Sequence, residues 1–242
     1  MAKDIAVVTG ASGGIGRAIA KAIHEKSGGD LRVCIHYNGN QVAAEKTKAE
    51  IPESFLVRCD LATAEGRKHL LDSVLKEGTP YVLVNNAGID KPHEPALMIT
   101  EAAFDSLINV NLRSSVFLMK DFGKDMMGSG SGVIVNVSSV LARKALTGSA
   151  LYRASKAALE ELTRQFAAEL GPRGVRVNAV APGFIETPMT EAIAEEMKSK
   201  ILSQIALGEF GKPEAVAEAV CSLIENDYIN GAILSVDGGM IL

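Results

Sequence analysis

Apolar runs of a few residues at 5–9, 31–37, 55–59, 81–85, 133–137, 175–180 and 233–236 alternate along the chain with longer amphipathic segments at 14–26, 41–50, 64–76, 101–127, 150–170, 190–203 and 213–225. Short continuous apolar runs suit strands buried on both faces, and the longer segments suit helices. Gly28 and Gly29 close the first helix, and Thr63 is placed to cap the third. Uninterrupted alternation demands crossover connections, and so a mostly parallel sheet of about seven strands with helices on both faces. No internal repeat and no long Pro/Gly/Ser-rich linker divides residues 1–242, which predicts one doubly wound domain. Ligands bind such sheets at the carboxyl ends of the strands. The segments 101–127 and 150–170 carry apolar residues on more than one side, which predicts that they are sandwiched in the fold or shared with another subunit.

Composition narrows the classes of function. Hydrophobic residues make up 47% of the chain, enough for a sizeable core. The net charge of −4, without a long run of either sign, argues against nucleic acid and anionic membrane surfaces as partners. The first residues, MAKDIAVVTG, pass straight into a strand pattern, and no run approaches the ~18 apolar residues of a membrane span, so we expect a soluble cytoplasmic protein. Cys34, Cys59 and Cys221 are odd in number and scattered, which fits reduced core residues and neither a disulfide framework nor a metal site.

The chemistry-bearing residues gather at the predicted strand ends. Thr9-Gly10-Ala11-Ser12-Gly13-Gly14-Ile15-Gly16 lies between the first strand and first helix, where glycines let backbone N–H groups approach a pyrophosphate at the positive end of the helix. The second strand ends in His36-Tyr37-Asn38-Gly39-Asn40 with no carboxylate to accept from a ribose hydroxyl. The missing acid favours NADP over NAD, although the stretch also lacks Arg and Lys, leaving Arg17 as a candidate helper. Asp60 and Asn85-Asn86-Ala87-Gly88 end the third and fourth strands and suit a wall against adenine and ribose, while Asn111 is a polar residue inside an apolar helix that needs a partner. Ser139 follows the fifth strand, and Tyr152 and Lys156 stand one helical turn apart thirteen residues later. An ammonium beside a phenol lowers the phenol's pKa towards neutrality, which suits a proton donor to a carbonyl oxygen.

These motifs occur in the order and spacing of the short-chain dehydrogenase/reductase family, which the chain resembles along essentially its whole length: TGxxxGxG at 9–16, NNAG at 85–88, Asn111, Ser139, YxxxK at 152–156 and Pro182-Gly183. Within it, 181–187 (APGFIET), 207–214 (LGEFGKPE) and 230–240 (NGAILSVDGGM) look like the 3-oxoacyl-[acyl-carrier-protein] reductases. The resemblance implies a Rossmann fold, a homotetramer or dimer through the helices at 101–127 and 150–170, and NADPH-dependent reduction of a 3-oxoacyl thioester on carrier protein or coenzyme A in acyl-chain synthesis. It implies Tyr152 as acid/base, Ser139 on the substrate oxygen, Lys156 lowering the tyrosine pKa and holding ribose, and Asn111 positioning water. Cofactor contacts are implied for Thr9, Gly10, Ser12, Gly14, Ile15, Gly16, Tyr37, Asn38, Asp60, Leu61, Asn86, Ala87, Gly88, Tyr152, Lys156, Pro182, Gly183, Ile185 and Thr187, with a substrate lid near 184–208. Departures bear on the substrate: the turn before the fifth strand is Gly128-Ser129-Gly130-Ser131-Gly132, without the basic residues on which an acidic carrier protein docks, although Arg173 and Arg176 remain. Arg143 and Lys144 add charge at the expected mouth, and Ser149 stands where those reductases often have glutamine. Alternatives within the class are an oxidoreductase of a sugar, of acetoacetyl-CoA or of another secondary alcohol; outside it, a non-catalytic dinucleotide sensor.

Overall fold

The alternating pattern becomes a sheet covered on both sides. The computed structural model describes residues 4–90, 94–191 and 194–241. Its regular elements are β1 (Asp4–Val8), α1 (Gly14–Lys26), β2 (Leu31–Tyr37), α2 (Gln41–Glu50), β3 (Phe55–Arg58), α3 (Ala64–Glu77), β4 (Thr79–Asn85), α4 (Glu101–Ile108), α5 (Ser114–Ser129), β5 (Gly132–Val137), α6 (Ala150–Leu170), β6 (Val175–Pro182), α7 (Pro188–Glu191), α8 (Glu195–Leu202), α9 (Pro213–Glu225) and β7 (Ile233–Val236). The seven strands lie in the order β3-β2-β1-β4-β5-β6-β7. Every pairing between neighbours is parallel. This is the doubly wound, Rossmann-type sheet expected from the alternation.

Because successive strand residues point to opposite faces, each strand feeds two cores. Ala6, Val8, Val33, Ile35, Val82, Val84, Val133 and Val135 pack against α1 and α9. Ile5, Val7, Cys34, Leu83, Ile134, Val175 and Val177 meet residues of α3, α5 and α6 on the other side. The strand order reverses between β1 and β4, and a crevice opens there at their carboxyl ends.

Pairing extends some strands beyond their apolar runs. β4 starts at Thr79 because Thr79 and Pro80 align with Asp4 and Ile5 of β1. β6 runs to Pro182 because β7 pairs along it to Val236. The Thr63 cap forms, with its hydroxyl accepting from Gly66 N–H at 3.0 Å.

Two expected helices are each divided. The segment 101–127 is α4 and α5 joined by a π-helical turn, Asn109–Arg113, with Ser114 N–H bonded to the Asn109 carbonyl. The segment 190–203 contains α7 and α8; Ala194 is extended, so the helix restarts at Glu195, while residues 192–193 of this segment lie outside the described residues. All three cysteines are free and buried. Among the described residues no helix is long and apolar enough to cross a membrane.

Candidate active site

The reversal point is held by one hydroxyl. Thr9 follows β1 and donates from Oγ1 to the Val84 carbonyl, while the same oxygen accepts from the backbone N–H of Asn86 and Ala87 at 2.9 and 3.0 Å. Asn86 completes the staple by donating from Nδ2 to the Thr9 carbonyl at 2.8 Å. Its amide therefore faces the glycine loop and holds it. Gly16 has to be glycine, since a Cβ there would run into the Gly10 carbonyl and Asn86 Nδ2. Gly10 and Gly14 take φ of 64° and 54°, in the left-handed region that side chains resist.

A residue passed over in the sequence supports this loop from behind. His36 of β2 is buried, accepts from Gly10 N–H through Nδ1 at 3.1 Å, and so donates from Nε2 to the Cys59 carbonyl at 3.1 Å. Burial pushes its pKa down to about 4, which keeps the imidazole neutral and Nδ1 an acceptor. One ring thus ties the loop after β1 to the end of β3. A buried histidine one residue before a strand end was the available signal, but its ring gave no partner away.

The crevice widens into a cavity of about 450 Å³. Gly10, Ser12, Gly14, Ile15 and Gly16 form one wall, Asn86, Ala87 and Gly88 a second, and Pro182, Gly183, Ile185 and Thr187 a third. Ser139, Tyr152 and Lys156 line the same cavity, together with Ser138, Ile89, Thr190 and others. Tyr37, Asn38, Asp60 and Leu61 lie apart from it at the ends of β2 and β3, and Thr9 and Asn111 stand behind its walls. The cradle fits a dinucleotide. Gly13 caps α1 without a side-chain hydrogen bond, open space lies where its Cβ would be, and the first turn carries no acid. Free N–H groups at a helix start with no carboxylate suit a pyrophosphate.

The reacting side chains are removed from water. Tyr152 is pushed up to about 12 by burial, with Asp90 adding to the rise and the Ser139 hydroxyl opposing it. This reverses the expected fall towards neutrality: desolvation outweighs the stabilisation of a phenolate. Lys156 lies with Nζ 5.6 Å from the Tyr152 ring centroid and donates to the Val137 carbonyl at 2.7 Å. Burial lowers its pKa to about 8. Ser139 accepts from Leu141 N–H at 3.2 Å, and its hydroxyl hydrogen-bonds the Tyr152 phenol, so the two oxygens stand together where a substrate oxygen would be met. Ser138 is committed instead to the Lys156 carbonyl and Glu160 Oε1, which supports the choice of Ser139 made from its spacing to Tyr152.

Asn111 sits in the π turn and clamps Ile89, accepting from its N–H at 2.8 Å and donating to its carbonyl at 2.7 Å. The side chain is satisfied by the loop that presents Gly88 to the cavity. Phe184 stacks on Phe210 at 5.9 Å, and Ile201 and Ile205 pack with Val140 and Met240 under the segment after β6.

Several charges expected at the mouth are spoken for. Arg143 donates to the buried Glu160 carboxylate at 3.1 Å and to Ser235, and Lys144 donates to the Met240 carbonyl. Ser149 turns inward to the Leu146 carbonyl. Arg176 caps the end of α9 through the Leu223 and Ile224 carbonyls and also donates to the Ile229 carbonyl beyond it. Arg176 is at the amino-terminal end of β6 and Arg173 in the turn before it, at the sheet edge opposite the cavity, so they do not provide a docking patch beside it. Arg17 pairs with Glu50, which also holds Lys21, so it is not an uncommitted cation for a nucleotide phosphate.

A family model described as enoyl-(acyl carrier protein) reductase matches residues 10–241. The 3-oxoacyl-[acyl-carrier-protein] reductase FabG of Staphylococcus aureus is 37% identical over 244 residues, covering 98% of both chains. Its namesake from Rickettsia bellii is 37% identical over 243 residues, covering 98% of this chain and 96% of the relative. Carbonyl reductase family member 4 of Danio rerio is 40% identical over 243 residues, again covering 98% of both. Similarity of this degree from end to end, in a chain that keeps the glycine loop, the serine, the tyrosine and the lysine around one crevice, places it without remainder: the chain belongs to the short-chain dehydrogenase/reductase family of oxidoreductases.

Proposed function

We propose that this oxidoreductase uses NADPH to reduce a 3-oxoacyl thioester, on carrier protein or coenzyme A, to the 3-hydroxyacyl thioester in fatty-acid or related acyl-chain synthesis. The observation that carries the reading is the convergence of Ser139, Tyr152 and Lys156 on the cavity whose opposite wall is the glycine cradle. The names of the FabG relatives support the thioester substrate.

In this reading Thr9–Gly16 hold the pyrophosphate at the start of α1, Tyr37 and Asn38 meet the adenosine ribose, and Asp60 and Leu61 flank the adenine. Asn86, Ala87 and Gly88 line the path between, and Pro182, Gly183, Ile185 and Thr187 seat the nicotinamide beside Lys156. The reduced nicotinamide, when bound, supplies a hydride to the carbonyl carbon. Ser139 donates to the carbonyl oxygen, and Tyr152 passes its phenolic proton to that oxygen as charge develops there. The Lys156 ammonium offsets the charge left on Tyr152 and receives protons through water organised near Asn111. The segment 184–208 acts as a lid over the acyl chain, hinged beyond its packed base. Enzyme action is cytoplasmic, in a homotetramer or dimer.

A second reading, reduction of a different carbonyl, draws on the carbonyl reductase relative. The deciding experiment follows NADPH and NADH oxidation with acetoacetyl-CoA, with 3-oxoacyl carrier proteins of several lengths, and with simple ketones and sugars. Turnover of thioesters with NADPH is expected. Turnover of ketones or sugars without any thioester activity would replace the first reading by the second.

A further inference from the structure

NADPH differs from NADH by one phosphate on the adenosine ribose, so a protein that prefers it needs a positive group at the end of β2. The sequence of that end supplies none, and the candidate from α1, Arg17, is committed to Glu50. The cation arrives from the neighbouring strand. In the sheet register Arg58 of β3 stands beside Tyr37, and its Nε donates to the Asn38 carbonyl at 3.1 Å. That bond holds the guanidinium against the first residue after β2. Arg58 is exposed, between the buried Val57 and Cys59, and its two terminal nitrogens have no hydrogen-bond or ion-pair partner among the described residues.

The nearby carboxylates do not claim it. Asp60 turns Oδ1 to the Ala62 N–H at 2.9 Å, and Glu45 of α2 accepts from Gln41 at 3.0 Å. Asn38, Gly39 and Asn40 are all exposed, leaving the space beside the guanidinium open, and the first turn of α2 carries no acid. A planar group with unpaired N–H donors in a fixed position matches a phosphate's oxygens better than a mobile ammonium does.

We propose that Arg58 recognises the 2′-phosphate of NADPH and sets the preference over NADH, a role that rests on the NADPH reading above. The test is binding, independent of turnover. Calorimetry compares adenosine 2′,5′-bisphosphate with 5′-AMP on the native protein, on Arg58→Gln and on Arg58→Lys, with thermal unfolding as the control for folding. The native protein is expected to bind the bisphosphate more tightly. Arg58→Gln is expected to weaken the bisphosphate by about 10- to 100-fold while leaving 5′-AMP unchanged, and Arg58→Lys to fall between. A native protein that discriminates, with Arg58→Gln discriminating equally well, overturns the role of Arg58 and leaves the NADPH reading standing. A native protein that does not distinguish the two ligands, and oxidises NADH as readily as NADPH, overturns both.

Discussion

Tyr152 and Lys156 are each held in their uncharged direction by the same cause, removal from water, which raises the phenol to about 12 and lowers the ammonium to about 8. The sign of the pH dependence follows. The phenol stays protonated, and so able to donate, across neutral and moderately alkaline pH. The ammonium is present below about 8 and is lost as pH rises through that value. The reduction rate is therefore expected to fall on the alkaline side of pH 8, and Lys156→Arg is expected to move that limb upward in a pH–rate profile. A limb that stays in place in the arginine variant would assign it to another group. Tyr152→Phe is expected to cut turnover by about 10²–10⁴-fold with nucleotide binding retained, as measured by titration of the bound cofactor.

Among elements, the strand-to-helix junctions matter most. Gly16→Ala forces a methyl against the Gly10 carbonyl and the Asn86 amide, so the loop must shift. The expected result is a loss of about 1–3 kcal/mol of stability and weaker nucleotide binding, read by denaturant unfolding and calorimetry. The junction of β5 and α6 is underpinned by Glu160, buried one turn beyond Lys156 and held by Arg143 and Ser138. Arg143→Ala leaves that carboxylate with Ser138 as its remaining partner and is expected to cost about 1–3 kcal/mol in chemical denaturation. If Arg143 served only to meet substrate, stability would be unchanged and KM alone would rise. The π turn at Asn109–Arg113 shows how an element can be read too simply: apolar spacing continues through it, while the bonds between Asn111 and Ile89 belong to a loop twenty-two residues earlier.

At the scale of the whole molecule, the apolar residues on α4 and α5 are not all covered within one chain. Phe104 and Phe117 are 47% and 38% exposed, the latter beside the Arg67 guanidinium. We expect light scattering at micromolar concentration to give a multiple of the 25.5 kDa chain mass, and a monomer there would sink self-association through 101–127 and 150–170. Much of this was legible in the linear pattern. Apolar runs and glycines are local signals, and they determined the helices near 14–26, 41–50, 150–170 and 213–225, the parallel sheet, and the clustering of Thr9–Gly16, Ser139, Tyr152 and Lys156 at its carboxyl edge. Tertiary structure decided what depends on partners distant in sequence. It turned Asn86 onto the glycine loop, put His36 behind that loop, committed Arg17, Arg143 and Arg176 to internal partners, and set Arg58 beside Asn38. It also reversed the expected direction for Tyr152, because a pKa is set by the water excluded around a group as well as by the charge four residues along its helix.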